Sequence, residues 1–131
     1  MISQVPPQYR TKMRWSFGES DDAATALAKK VIAGVKTATC SPYEEGERLP
    51  VVGEIYVIVD GQGTPVCAVS IVDVQVTPFN QVPASHARAE AEGDYSLAYW
   101  KKLQQAVLEK DEIYDPELPL VLIKFTLLDI F

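Results

Sequence analysis

Apolar residues recur at helical spacing after Ser20. Ala24, Leu27, Ala28, Val31 and Ile32 stand at i, i+3, i+4, i+7 and i+8 and form one face. Ser20 stands where an N-cap belongs, and Asp21 and Asp22 follow in the first turn. Lys29 and Lys30 come near the end, and Gly34 stops the helix. Ser96 to Lys110 repeats the pattern through Leu97, Trp100, Leu103, Val107 and Leu108, which makes Trp100 a core residue. Between these helices the pattern turns to strands: Thr37 to Ser41, Ile55 to Val59, and Pro65 to Val76, the last long enough to bend around a barrel. Asp60-Gly61-Gln62-Gly63 is a hairpin turn. Pro83 to Ala91 reads as a short helix. Leu120 to Leu128, inside the apolar run Leu118 to Phe131, closes the sheet.

The polar segments fall between these elements. Pro42 to Pro50, with Glu44, Glu45, Glu47 and Arg48, reads as a surface loop, and Asp111 to Glu117 as a solvated acidic segment. Pro6-Pro7 interrupts the start, so residues 1–14 read as an irregular, solvated arm ahead of a single domain spanning 15–131. The order α, β, β, β, α, β predicts an α+β fold, a small mixed β-barrel flanked by two main helices.

Composition narrows the function. An apolar fraction of 47% can build a core, and 131 residues suit one domain. The net charge of −6 argues against unspecific coating with nucleic acid, which needs a basic face. Any RNA contact must use a local cluster: Arg10, Lys12 and Arg14 in the arm, or the surroundings of Lys36. No secretory apolar segment follows Met1, so a reduced, cytoplasmic setting is expected. No segment is long enough to span a bilayer, and no membrane partner is expected. Cys40 reads as a small core residue, and His86, the single histidine, as a surface or helix-capping residue. Two cysteines and one histidine do not make a zinc site, so neither metal nor cofactor is expected.

The segment most suggestive of chemistry is Gly34-Val35-Lys36-Thr37-Ala38-Thr39. It sets a lysine and two hydroxyls just past a helix-ending glycine. A lysine beside a hydroxyl can serve as base toward a nucleophile, or as cation for a phosphate or carbonyl oxygen. The plainer reading is a C-capping glycine followed by a Thr-rich strand. In an ideal strand Lys36 and Thr39 would point to opposite faces, so they converge only if the chain is still turning after Gly34.

Phe17-Gly18-Glu19-Ser20, then Gly34 to Thr39, then Leu49-Pro50-Val51-Val52-Gly53-Glu54 keep a recognisable order. Asp60-Gly61, Pro65-Val66-Cys67, Val76-Thr77-Pro78-Phe79, Ala87 to Asp94 and Ser96 to Trp100 continue it. Over roughly Trp15 to Lys102 this series resembles the ASCH domain family, in its longer single-domain, bacterial-type branch. The resemblance implies a PUA-like barrel. It also implies an amidohydrolase site in which Lys36, Thr39 and Glu90 are catalytic, with Glu92 as the alternative match to the glutamate. The implied substrate is a small acylated nucleoside such as N4-acylcytidine.

The chemistry of that set is coherent. A threonine hydroxyl needs a base, and a lysine is one only if its pKa falls toward neutrality. A carboxylate beside the lysine raises that pKa instead, so Glu90 is expected to orient substrate or handle the leaving-group proton. Thr37 is the alternative nucleophile. Tyr43 and Arg48, in the loop after the motif, are candidates to stack on a base and hold a phosphate. The resemblance also carries a second function, a module for single-stranded RNA, with or without weak ribonuclease activity. A third is a nucleoside-binding domain without catalysis.

Overall fold

The computed structural model describes residues 5–131. Its strands are β1 (Met13–Trp15), β2 (Ala38–Pro42), β3 (Ile55–Val59), β4 (Pro65–Pro78) and β5 (Pro119–Ile130). Its helices are α1 (Asp21–Ile32), α2 (Ala84–Glu90) and α3 (Leu97–Lys110). The strands form one mixed sheet in the order β1-β3-β4-β5-β2. Only β1 with β3 is parallel; the other neighbours are antiparallel. The sheet curves as a half-barrel with the three helices against it, an α+β fold. Strand β4 slips register at Ala68/Val69 and again at Ile71/Asp73, which lets one long strand bend.

The cap expected at Ser20 forms, and Ser96 caps α3 in the same way. Ser20 accepts a hydrogen bond from the Ala23 N–H, and Ser96 from the Tyr99 N–H. Asp60 Oδ1 accepts from the Gln62 and Thr64 N–H groups and closes the hairpin. Gly61 approaches α1 so closely that a Cβ there would lie 2.0 Å from the Asp21 carbonyl oxygen. Its N–H donates to Thr25 Oγ1, which ties the hairpin to the helix.

The main core joins α1 to the sheet through Phe17, Leu27, Val31, Ile58, Val69, Ile71 and Phe125. A second core joins α2 and α3 to the sheet through Phe79, Ala87, Trp100, Leu108, Leu120 and Leu122. The third corrects the expectation of a solvated arm, of which residues 1–4 lie outside the described residues. Val5 and Tyr9 are buried against Val57 and Ala68, Pro7–Tyr9 forms a 3-10 turn, and Met13–Trp15 is a strand. The cause lies in β3. Its unbroken apolar run buries residues on both faces, and the arm covers the face that α1 does not. Among the described residues no helix is long and apolar enough to cross a membrane.

Candidate active site

Gly34 is left-handed, with φ +77°. The chain then stays wrapped on the end of α1, because the Val35 and Lys36 N–H groups both donate to the Lys30 carbonyl. The Thr37 N–H donates to the Ala89 carbonyl of α2 at 2.8 Å, and β2 starts one residue later. The turn therefore persists through Lys36, as convergence of the motif requires. Lys36 and Thr39 line one cavity of about 350 Å³ together with Glu90 and Glu92. Phe17, Leu27, Leu103, Val107 and Leu120 supply apolar wall, while Glu19 and Asp111 also line it.

Lys36 is 2% exposed. Its Nζ donates to the Ala38 carbonyl at 2.8 Å and to the Glu90 carbonyl at 3.2 Å, and sits 4.9 Å from the centre of the Phe17 ring. Burial lowers its pKa, partly offset by the charges of Glu90 and Glu92. Two backbone carbonyls thus hold two N–H bonds. One position on nitrogen is left for a ligand in the cavity.

Glu90 ends α2 and is also 2% exposed. Its Oε2 lies 2.5 Å from Nε2 of His86, one turn earlier on the same helix. Burial would raise the Glu90 carboxyl; the His86 hydrogen bond, the Lys36 charge and the nearby Trp100 indole together bring it below its ordinary value. His86 is therefore neither a surface residue nor a cap. It is buried against Trp100 as well as Glu90, and its Nδ1 has no hydrogen-bond partner among the described residues. Cys40, expected as plain core, lines the cavity beside this pair. Burial, then the Glu90 charge, push its thiol well above the ordinary range, so it stays protonated.

Ligand atoms of Cys40, His86 and Glu90 lie within 4.8 Å of one another. These side-chain types can bind a metal, but Nε2 and Oε2 stand closer than two ligands of one ion, about 3 Å apart for bonds near 2 Å. The cluster is a hydrogen-bonded one. The one-turn spacing of His86 and Glu90 on a helix was the available sequence signal for it. Cys40 carried no such signal, because its neighbours come from a different element.

Glu92 reaches the same cavity by a backbone device. Ala91 adopts a left-handed conformation, φ 60° and ψ 40°, which ends α2 between the two glutamates. In a continuing helix they would point about 200° apart. The Lys30 ammonium donates to the Ala91 carbonyl and fixes this turn. Glu92 is half-buried, and burial raises its pKa.

Three of the expected binding residues lie elsewhere. Thr37 is exposed and outside the cavity lining, its peptide spent on Ala89 and Phe125. Tyr43 packs against the main core. Arg48 is exposed and paired with Glu54, Nη2 to Oε2 at 2.7 Å. It lines a second cavity with Trp15, Tyr56 and Leu49, which meets the first at Phe17 and β2.

Comparison with known proteins agrees with this architecture. The chain is similar to the ASCH domain of Lactobacillus crispatus JV V101, with 28% identity and a TM-score of 0.82 over 93% of this chain and 82% of that one. It is also similar to protein EF3133 of Enterococcus faecalis V583, with 31% identity and a TM-score of 0.81 over 92% and 82%. A comparison with curated proteins finds no match. The family model for the ASCH domain matches residues 13–129, nearly the whole chain, and the protein belongs to the ASCH domain family.

Proposed function

We propose that this protein is an amidohydrolase acting on a small acylated nucleoside such as N4-acylcytidine. The observation that carries the reading is Lys36: a buried amine, lowered in pKa, bounding a cavity together with a threonine hydroxyl and a carboxylate. The neutral lysine takes the Thr39 hydroxyl proton as the oxygen attacks the acyl carbonyl. The C–N bond breaks, the departing exocyclic amine gains a proton, and water releases the acyl group from Thr39. The cavity volume is that of a small-molecule site. Lys36 is the single basic side chain of its lining, against the acidic Glu19, Glu90 and Asp111, which disfavours a phosphate and favours an uncharged nucleoside.

A panel of N4-acylated cytidines tests this. Wild-type protein is expected to release cytidine, and Lys36→Met to lose on the order of 100- to 10,000-fold while staying folded. Thr39→Val should lose comparably. Binding without turnover would favour a nucleoside-binding domain instead.

The second reading is RNA binding, generally proposed for ASCH domains. One observation favours it: Trp15 stacks on Tyr56 with ring centres 3.9 Å apart, beside Arg48 in the second cavity. Aromatic rings next to an arginine suit unpaired bases.

A further inference from the structure

We propose that the two glutamates of the cavity divide the work: Glu90 is a fixed charge that positions Lys36, and Glu92 is the catalytic acid that protonates the leaving amine. This rests on the amidohydrolase reading above. Glu90 has little left to offer a substrate. Its side chain is almost wholly buried, one oxygen is held by His86, and its backbone carbonyl holds Lys36. Glu92 differs on each count. It is half-buried, and its carboxyl makes no hydrogen bond or ion pair among the described residues. The left-handed Ala91 and the Lys30 clamp turn it onto the cavity wall.

The groups around Glu92 set its protonation. Burial raises its pKa first; Lys36, before β2, opposes this, Glu90 of α2 adds to it, and Lys30 of α1 opposes it. Glu19, ahead of α1, and Asp111, after α3, line the same cavity and add negative charge. Cys40 of β2 stays a neutral thiol.

The step then balances. The Thr39 proton goes to Lys36, the Glu92 proton goes to the departing nitrogen, and the C–N bond breaks to leave an acyl-threonine. Water next gives its proton to the Glu92 carboxylate and its oxygen to the acyl carbon. Lys36 returns its proton to Thr39 as the ester bond breaks. Both glutamates are unchanged at the end.

The test compares Glu92→Gln with Glu90→Gln on N4-acetylcytidine and its 5-fluoro analogue, whose amine leaves more readily. Glu92→Gln is expected to keep the wild-type melting temperature and KM and to lose on the order of 100-fold in kcat. It should recover part of that loss on the 5-fluoro substrate and lack one limb of the pH–rate profile. Glu90→Gln is expected to melt earlier and to move the lysine limb to lower pH, because the charge raising the Lys36 pKa is gone. Wild-type turnover with Glu92→Gln fully active, or with its loss unrelieved by the 5-fluoro substrate, overturns the division of labour alone. Absence of wild-type turnover overturns the amidohydrolase reading, and this inference with it.

Discussion

His86 Nε2 and Glu90 Oε2 lie 2.5 Å apart, one helical turn from each other, in side chains that are almost wholly buried. The pair keeps a carboxylate charged where burial alone would neutralise it, and that charge stands next to the buried lysine. Removing the histidine should be costly. His86→Ala leaves the carboxylate buried without its donor, and about 3 kcal/mol of stability should be lost at neutral pH.

The pH dependence has a definite sign. In the wild type the folded Glu90 pKa is lowered, so its stabilisation is present above the ordinary carboxylate range and lost as pH falls through the folded value. In His86→Ala burial dominates and the carboxyl takes up its proton at higher pH. Acidification then relieves the stray charge. The stability gap between wild type and variant should narrow as pH falls, as read from denaturant melts at pH 7 and pH 4. A constant gap would mean that Glu90 is not held ionised by His86.

Lys36 as a base and Lys36 as an anion-holding cation separate on one substitution. Lys36→Arg keeps the charge but cannot deprotonate near neutrality. It should be as inactive as Lys36→Met on an acylated nucleoside. If the arginine variant retains ligand binding or turnover that the methionine variant loses, the cation is what matters.

Much of this was legible in the residues, and the exceptions share a cause. The α1 face from Ala24 to Ile32 and its Ser20 cap are local patterns, and local patterns read well. The meeting of Lys36 with Glu90 is not local. It depends on the α1 end, on the backbone hydrogen bond from the Thr37 N–H to the Ala89 carbonyl, and on a left-handed alanine that no propensity suggests. The family resemblance pointed to those residues; spacing did not. The arm failed for a different reason. Pro6-Pro7 interrupts long helix or strand but suits the first position of a short 3-10 turn, which lets Val5 and Tyr9 cover β3, and the apolar run from Ile55 to Val59 was the sign that a cover was needed.

The arm can be tested directly. Tyr9 is buried, and its ring lies 5.6 Å from that of Phe131. Tyr9→Ala should cost roughly 3 kcal/mol, as large-to-small changes of buried aromatics do. A loss below about 0.5 kcal/mol, within the range of surface substitutions, would return the arm to solvent.

Salt separates the two ligand classes. RNA held through phosphates should bind more weakly as salt rises, because each neutralised phosphate releases counterions. An uncharged nucleoside in the cavity should bind almost equally at low and moderate salt. Arg48→Ala should flatten the salt slope for RNA without changing nucleoside affinity, since Arg48 lines the second cavity and not the first. Parallel salt dependence for both ligands would place them in one site.

Two glycines should fail in different ways. Gly34 has φ +77° and open space where a Cβ would point, so Gly34→Ala meets only backbone strain, about 1 kcal/mol. At Gly61 the obstacle is the Asp21 carbonyl, 2.0 Å from the added carbon, and neither backbone can yield cheaply. Gly61→Ala should cost roughly 2–3 kcal/mol, in the range of overpacked cores. The displacement would fall on the start of α1, whose Ala23 and Leu27 line the cavity. Gly61→Ala should therefore raise KM for the nucleoside as well as lower stability. Gly34→Ala precedes Lys36 in the turn that aims it, so its effect should appear in kcat. Denaturant midpoints and steady-state kinetics on both variants check the pair. A larger stability loss at Gly34 than at Gly61 would show that the α1–hairpin contact is looser than the 2.0 Å approach implies.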